Sequence, residues 1–222
     1  MRRPSAAAAT YRAARFPGGR TPWREAAFCV VDLETTGLDP RRDAIVAWCA
    51  VPVDAGRVVL AGTREGLVRP PGAVPPTSIR IHGLRELDLA GAPVQAEAFD
   101  ALLEAMAGRV LVAHAAFVER AFLRRAIRSR GGRLRGPIVD TAQLGRLWLA
   151  ERDGHAPATL ALGDLARELG LPVHRPHRAA GDALTTAQAF IALATLLGKD
   201  ETVRSLASAR QRLEATRLYG GF

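Results

Sequence analysis

The sequence predicts one mixed α/β domain: three antiparallel strands, then strands alternating with helices, in a single sheet with helices on both faces. Three observations predict it. Ala27-Phe28-Cys29-Val30-Val31 is a short apolar run with β-branched residues, suited to a strand buried on both faces. Two more strand-like runs, 43–52 and 57–68, flank the turn Asp54-Ala55-Gly56, giving an antiparallel meander. Beyond residue 95, helical periods alternate with short apolar strands, the pattern of a sheet covered by helices.

In chain order, residues 1–24 carry six arginines, an alanine run and several Pro and Gly, with no acidic residue. They read as a disordered basic arm without a convincing amphipathic helix or secretory core. Residues 25–198 form the folded core, and 199–222 a helical tail ending Leu-Tyr-Gly-Gly-Phe, in which no sliding-clamp motif is recognisable. Within the core, Ile79–Leu84 is a polar-capped apolar segment with His82 before Gly83. Residues 96–108 place Phe99, Leu102, Leu103 and Met106 on one helical stripe ended by Gly108. Strands at 110–113 and 138–140 and helices at 115–130, 141–151, 160–169 and 179–197 complete the pattern.

The chain has 222 residues, net charge +9 and one lysine, Lys199. A GC-rich coding bias would produce the same Arg/Lys ratio, so the ratio is weak evidence of function, but the charge itself favours phosphate-rich partners. A membrane surface or an acidic protein would be served equally well by that charge. No apolar run approaches the ~20 residues of a membrane span, so no membrane is expected. Cys29 and Cys49 lie in strand-like runs and read as buried free thiols, consistent with a reducing cytoplasm.

Four acidic positions draw attention. Asp32 and Glu34, at i and i+2 in the first strand, share one face, where like charges are costly unless a cation lies between them. The alternative is a strand running into an acidic surface turn. Glu119 lies three, four, seven and eight residues before Phe122, Leu123, Ala126 and Ile127, so it points to their apolar side; a helix-start carboxylate is the plainer reading. Asp182 follows His177 by five residues, and the two converge only if His177 precedes the helix, which Pro172 and Pro176 allow. A histidine there suits proton abstraction from water; a capping histidine and a solvated aspartate are the alternative. Together, four carboxylates nearly balance two divalent cations, Mg²⁺ or Mn²⁺, ~3.5–4 Å apart as phosphoryl transfer uses them. His82, His114 and His155 show no zinc-ligand spacing.

Five motifs then occur in order: Asp32-Leu-Glu-Thr-Thr-Gly-Leu38, Ile81-His-Gly83, Leu111-Val-Ala-His114, Val139-Asp-Thr141 and His177-x4-Asp182. They resemble those of the DEDDh (DnaQ-like) 3′–5′ exonucleases, which include the proofreading epsilon subunit of bacterial DNA polymerase III, RNase T and oligoribonuclease. The resemblance covers residues 27–198. It implies a ribonuclease-H-like mixed sheet and makes residues 25–198 an exonuclease domain. It also implies metal ligation by Asp32, Glu34, Glu119 and Asp182, and His177 as the base. Thr35, Thr36, Gly37, Ile81, His82 and His114 would contact the 3′-terminal nucleotide. The expected substrate is the 3′ end of single-stranded or frayed DNA, with RNA and a nuclease-inactive nucleic-acid-binding module as alternatives. A polymerase subunit is a further partner the resemblance implies. The second motif departs from the usual H-N-A-x-F-D: Ala115, Val118 and Glu119 stand where Asn, Phe and Asp are expected. The glutamate keeps the charge and reaches one methylene further.

Overall fold

A computed structural model describes residues 3–219. One sheet of six strands runs through it: β1 (Phe28–Thr35), β2 (Ile45–Asp54), β3 (Arg57–Val58), β4 (Arg64–Leu67), β5 (Val110–Ala113) and β6 (Ile138–Asp140). The order is β3-β2-β1-β5-β6, with β4 also on β2. β1 pairs antiparallel with β2, from Phe28 opposite Val53 to Glu34 opposite Ala47, and parallel with β5, which pairs parallel with β6. The mixed sheet expected from the sequence is therefore present, with one difference. The continuous third strand expected at 57–68 is two pieces separated by a 3₁₀ turn at Leu60–Gly62. Pro52 explains the break. Its carbonyl accepts from the Val59 N–H at 2.9 Å, but it has no N–H to return on that edge of β2, so the ladder cannot continue.

The helices are α1 (Ala6–Ala13), α2 (Pro76–His82), α3 (Glu86–Leu89), α4 (Gln95–Met106), α5 (Phe117–Ser129), α6 (Thr141–Asp153), α7 (Leu162–Glu168), α8 (Ala179–Leu196), α9 (Val203–Ala207) and α10 (Ala209–Tyr219). They cover both faces, and β1 assigns the faces by alternation. Phe28 and Val30 pack with α6, α8 and α9 residues, among them Leu144, Phe190 and Leu206. Cys29, Val31 and Leu33 face α1, α4 and α5 through Tyr11, Phe99, Leu103 and Leu123. Both cysteines are buried and unpaired. By the same alternation, Asp32 and Glu34 project on the α8 side, at the end of a strand whose other residues are mostly buried.

The expectation of a disordered arm at 1–24 is corrected over its described part. Ser5 caps α1, accepting from the Ala8 N–H, and donates to Asp100 at 2.7 Å; Asp100 in turn holds Arg130 through two bonds. Ala7, Ala8 and Tyr11 are buried against the sheet-covering helices, and Trp23 packs edge-on to Phe190. Alanine is the strongest helix former and its small side chain permits close packing, so a run that looks like low complexity makes a docked helix instead. The segments on either side of the core meet: Trp23 N–H donates to the Glu201 carbonyl and Val203 N–H to that of Thr21. The terminal Gly-Gly-Phe of the tail lies outside the described residues. Helix α8, 18 residues of mean hydropathy 1.2, has the length and composition of a membrane span, a test that the buried core helix of a globular domain also passes. More than half of that window is buried inside the protein.

Candidate active site

β1 delivers two carboxylates and then stops. A register shift falls between Glu34 and Thr35, and the chain turns at Gly37. Thr36 holds the turn, its hydroxyl donating to Asp43 Oδ1 and accepting from the Ala44 N–H, while the Thr35 hydroxyl donates to the Gly37 carbonyl at 2.7 Å. A Cβ at position 37 would stand 2.5 Å from Asp43 Oδ2, so only glycine lets Asp43 close this corner. Thr35, Thr36 and Gly37, expected at the substrate, are thus engaged in shaping the turn.

Asp182 arrives from the first turn of α8. One carboxylate oxygen from each of Asp32, Glu34 and Asp182 lies within 4.8 Å of the others. His177 sits ahead of the helix, as convergence requires, in left-handed backbone at φ 58°, and its N–H donates to Asp182 Oδ2 at 2.8 Å. Its side chain remains exposed. Gly181 makes this corner tight: a Cβ there would collide with the backbone carbonyls of His174 and Arg175.

Glu119, in the first turn of α5, is 7% exposed, and its Oε2 makes no hydrogen bond; nor does the buried Glu34 Oε1. Burial pushes the Glu119 carboxyl up to about 8; its own N–H opposes this and Asp140 adds to it. Burial and then Asp182 push Glu34 up to about 7, against the pull of Arg178. Asp32 lies well above the ordinary range, first through burial and then through Glu119, Asp182 and Glu34. Asp182 is raised by burial, with His177 opposing. Glu119 lies outside the tight group of three but is the charge that most opposes ionisation of Asp32. Four crowded carboxylates, two of them with an unpartnered buried oxygen, are a hard-donor set that suits a divalent cation.

Beside Glu34 opens a cavity of about 380 Å³, lined also by Trp48, Leu67, His82, Leu84 and Arg178. His82 Nδ1 accepts from the Leu84 N–H at 3.0 Å, which leaves the ring proton on buried Nε2, facing the Thr35 backbone without a well-formed hydrogen bond. Burial lowers the His82 pKa and the Arg178 cation lowers it further, with the Thr35 backbone opposing, so the ring is neutral near pH 7. Ile81 is exposed and outside the cavity wall. His114 spends both ring nitrogens inside the protein, on the Thr141 hydroxyl and the Leu160 carbonyl.

Two residues carry more than the sequence reading gave them. Asp140 accepts N–H bonds from Ala115, Ala116 and Ala142, so it caps α6 and pins the corner that aims Glu119. Its place in Val-Asp-Thr, before an apolar helix, was the available signal. Arg178, next to His177, is the cation closest in effect to Glu34 and His82. Nothing in its spacing distinguishes it from the chain's other arginines.

A family model described as Exonuclease (RNase T) matches residues 29–190. An epsilon-like protein of DNA polymerase III from Rhodobacter capsulatus is 36% identical over 176 residues, covering 78% of this chain and 24% of the relative. A PolC-type DNA polymerase III from Thermotoga maritima is 31% identical over 79% of this chain and 12% of its own length. This chain therefore spans a quarter or less of these two relatives. The Aquifex aeolicus epsilon subunit, 29% identical, is covered over 78% of its length and 74% of this chain. Among solved structures, exonuclease X with a 5′-overhanging duplex superposes at TM-score 0.63 and 23% identity, over 82% of this chain and 98% of that one. Escherichia coli exonuclease I with a dT13 oligonucleotide gives 0.64 and 14%, over 74% and 40%. These likenesses carry the ribonuclease-H-like fold. With the family model spanning the strand that holds Asp32 and Glu34 and the helix that holds Asp182, this chain belongs to the DnaQ-like exonuclease family.

Proposed function

We propose that this chain is a metal-dependent 3′–5′ exonuclease that removes nucleotides from the 3′ end of single-stranded or frayed DNA. The observation that carries the reading is the convergence of Asp32, Glu34 and Asp182 within 4.8 Å, with buried Glu119 acting on Asp32. Their crowding is unfavourable without a cation, and the donor set suits two divalent ions, Mg²⁺ or Mn²⁺. When bound, such ions neutralise charge on the scissile phosphate and on its attacking and leaving oxygens.

The protein's own residues supply the rest. The cavity wall of Trp48, His82 and Arg178 takes the terminal nucleoside, with His82 Nε2–H donating to it and Arg178 facing its phosphate side. Exposed His177, anchored through its backbone to Asp182, takes the proton from the attacking water. The names of the relatives favour DNA as substrate and a polymerase as partner. A degradation time course on matched 5′-labelled DNA and RNA strands, in Mg²⁺, Mn²⁺ or EDTA, tests this. We expect a ladder shortening from the 3′ end of DNA, abolished by EDTA. Cleavage that persists in EDTA, or internal cutting, would overturn it.

A further inference from the structure

Helix α5 carries an outward stripe that the carboxylate site does not use. Phe117, Arg120, Arg124 and Arg128 follow at spacings of three, four and four, which aligns them along one line of the helix. All four are exposed, Phe117 by 72%, an unusual state for a large aromatic. Among the described residues, none of the three guanidinium groups has an ion-pair or hydrogen-bond partner. Neighbouring arginines are differently used. Arg125 donates to the Pro40 and Asp43 carbonyls, tying α5 to the loop after β1, and Arg130 pairs with Asp100. Arg120 and Arg124 also line a groove of about 240 Å³ against residues Leu134 and Gly136–Ile138.

Sheet order gives the stripe its place. The nucleoside cavity is walled by β2 and β4, the carboxylates end β1, and α5 begins just beyond β5, on the opposite side of β1. The body of α5 packs on the other face of the sheet, but its first turn brings Glu119 to act on Asp32. A strand with its 3′ nucleoside in the cavity and its scissile phosphate over Asp32 and Glu34 therefore crosses the end of β1 toward the start of α5.

We propose that this stripe is the track for the single strand on the 5′ side of the scissile phosphate. Phe117 stacks on a base next to the site, and Arg120, Arg124 and Arg128 pair with successive phosphates. Four helical residues advance ~6 Å, matching one step of an extended strand, and each guanidinium fork suits a phosphate. The strand's polarity rests on the exonuclease reading above.

The test is fluorescence anisotropy of a 5′-labelled thymidine dinucleotide and dodecamer with the full chain, in EDTA, across salt concentrations. Replacing Arg120, Arg124 and Arg128 together by Ala should flatten the dodecamer's log–log salt slope by about two, at about 0.7 per phosphate. Affinity for the dodecamer should fall at least tenfold, with the dinucleotide unaffected. Replacing all three by Lys should keep the slope. Phe117→Ala should weaken the dodecamer roughly 5- to 100-fold at an unchanged slope. A triple Ala variant with wild-type slope and dodecamer affinity would overturn the track, as would equal losses on both lengths. Wild-type protein that binds the dodecamer but never cleaves it in Mn²⁺ removes the exonuclease reading alone, because the salt slope decides the track without catalysis.

Discussion

Glu119 is where this chain departs from its family's pattern, and burial strains its charge. The carboxyl is pushed up to about 8 with one oxygen unpartnered, so near pH 7 it holds a proton unless a cation displaces it. Glu119→Gln keeps the shape and removes the charge. We expect it to weaken divalent-ion binding and lower turnover at least a hundredfold, while raising the melting temperature of the metal-free protein near pH 8. Turnover equal to wild type would mean that Glu119 is only a helix-start carboxylate. Mg²⁺ demands near-ideal octahedral geometry, and the longer glutamate arm shifts the oxygen, so Mn²⁺ should support higher turnover than Mg²⁺. The shorter arm of an aspartate would fall short of the position Glu119 reaches, so Glu119→Asp alone should not restore Mg²⁺ activity.

The acidic positions were legible because motif order and strand parity both constrain them. The share of other residues was not. Thr35, Thr36 and His114 read as substrate contacts; that the two hydroxyls also bond within the turn, and the His114 ring to Thr141 and Leu160, only tertiary structure reveals. Asp140 was visible as part of a motif, yet its bonds to Ala115 and Ala116 span about 25 residues of sequence.

Among the elements, the first turn of α8 and the arm α1 carry testable consequences. Gly181 allows the His174–Arg175 backbone to lie against α8, and that contact sets where His177 emerges. Gly181→Ala must displace the loop. It should cut turnover by an order of magnitude or more, with a melting-temperature loss of several degrees, and activity near wild type would exclude the constraint. Helix α1 was misread because alanine and arginine alone give no apolar stripe; Tyr11 is its anchor, buried, with its hydroxyl accepting from the Arg135 N–H. Tyr11→Ala should cost about 3 kcal/mol in urea unfolding, by analogy with other large-to-small aromatic changes. A loss under ~0.5 kcal/mol, the range of surface substitutions, would return α1 to the status of a free arm. The split of β3 from β4 was hidden for a simpler reason: Pro52 lies in an otherwise strand-like run, and which edge lacks its N–H depends on register.

For the molecule as one body, the metal-free state should lose stability as the pH rises through the raised carboxyl values. Glu34 and Glu119 rise from ordinary values of 4.5 to about 7 and about 8. A raised carboxyl pKa means that the folded state keeps a proton the unfolded chain has lost. Its stabilising contribution is complete below about 4.5 and is lost as pH rises through about 8. In EDTA, the melting temperature should therefore fall steadily between about pH 5 and pH 8.5. Saturating Mn²⁺ should reverse the trend, because bound cations favour the ionised carboxylates. A flat profile in EDTA would mean that water or small adjustments relieve the repulsion. The fold class was the most legible feature of all, since hydrophobic period and strand order depend on many residues together, and no single misreading alters them.

That Asp32, Glu34, Glu119 and Asp182 form one metal centre is tested most directly by calorimetric titration of the metal-free protein with Mn²⁺ near pH 7, in buffers of different ionisation enthalpy. Metal binding must drive protons off Glu34 and Glu119, so saturable binding should release at least one proton per chain, with less released as the pH is raised toward 9. Asp32→Asn and Asp182→Asn should abolish the binding. Saturable binding without proton release, or binding unchanged in those variants, would contradict it.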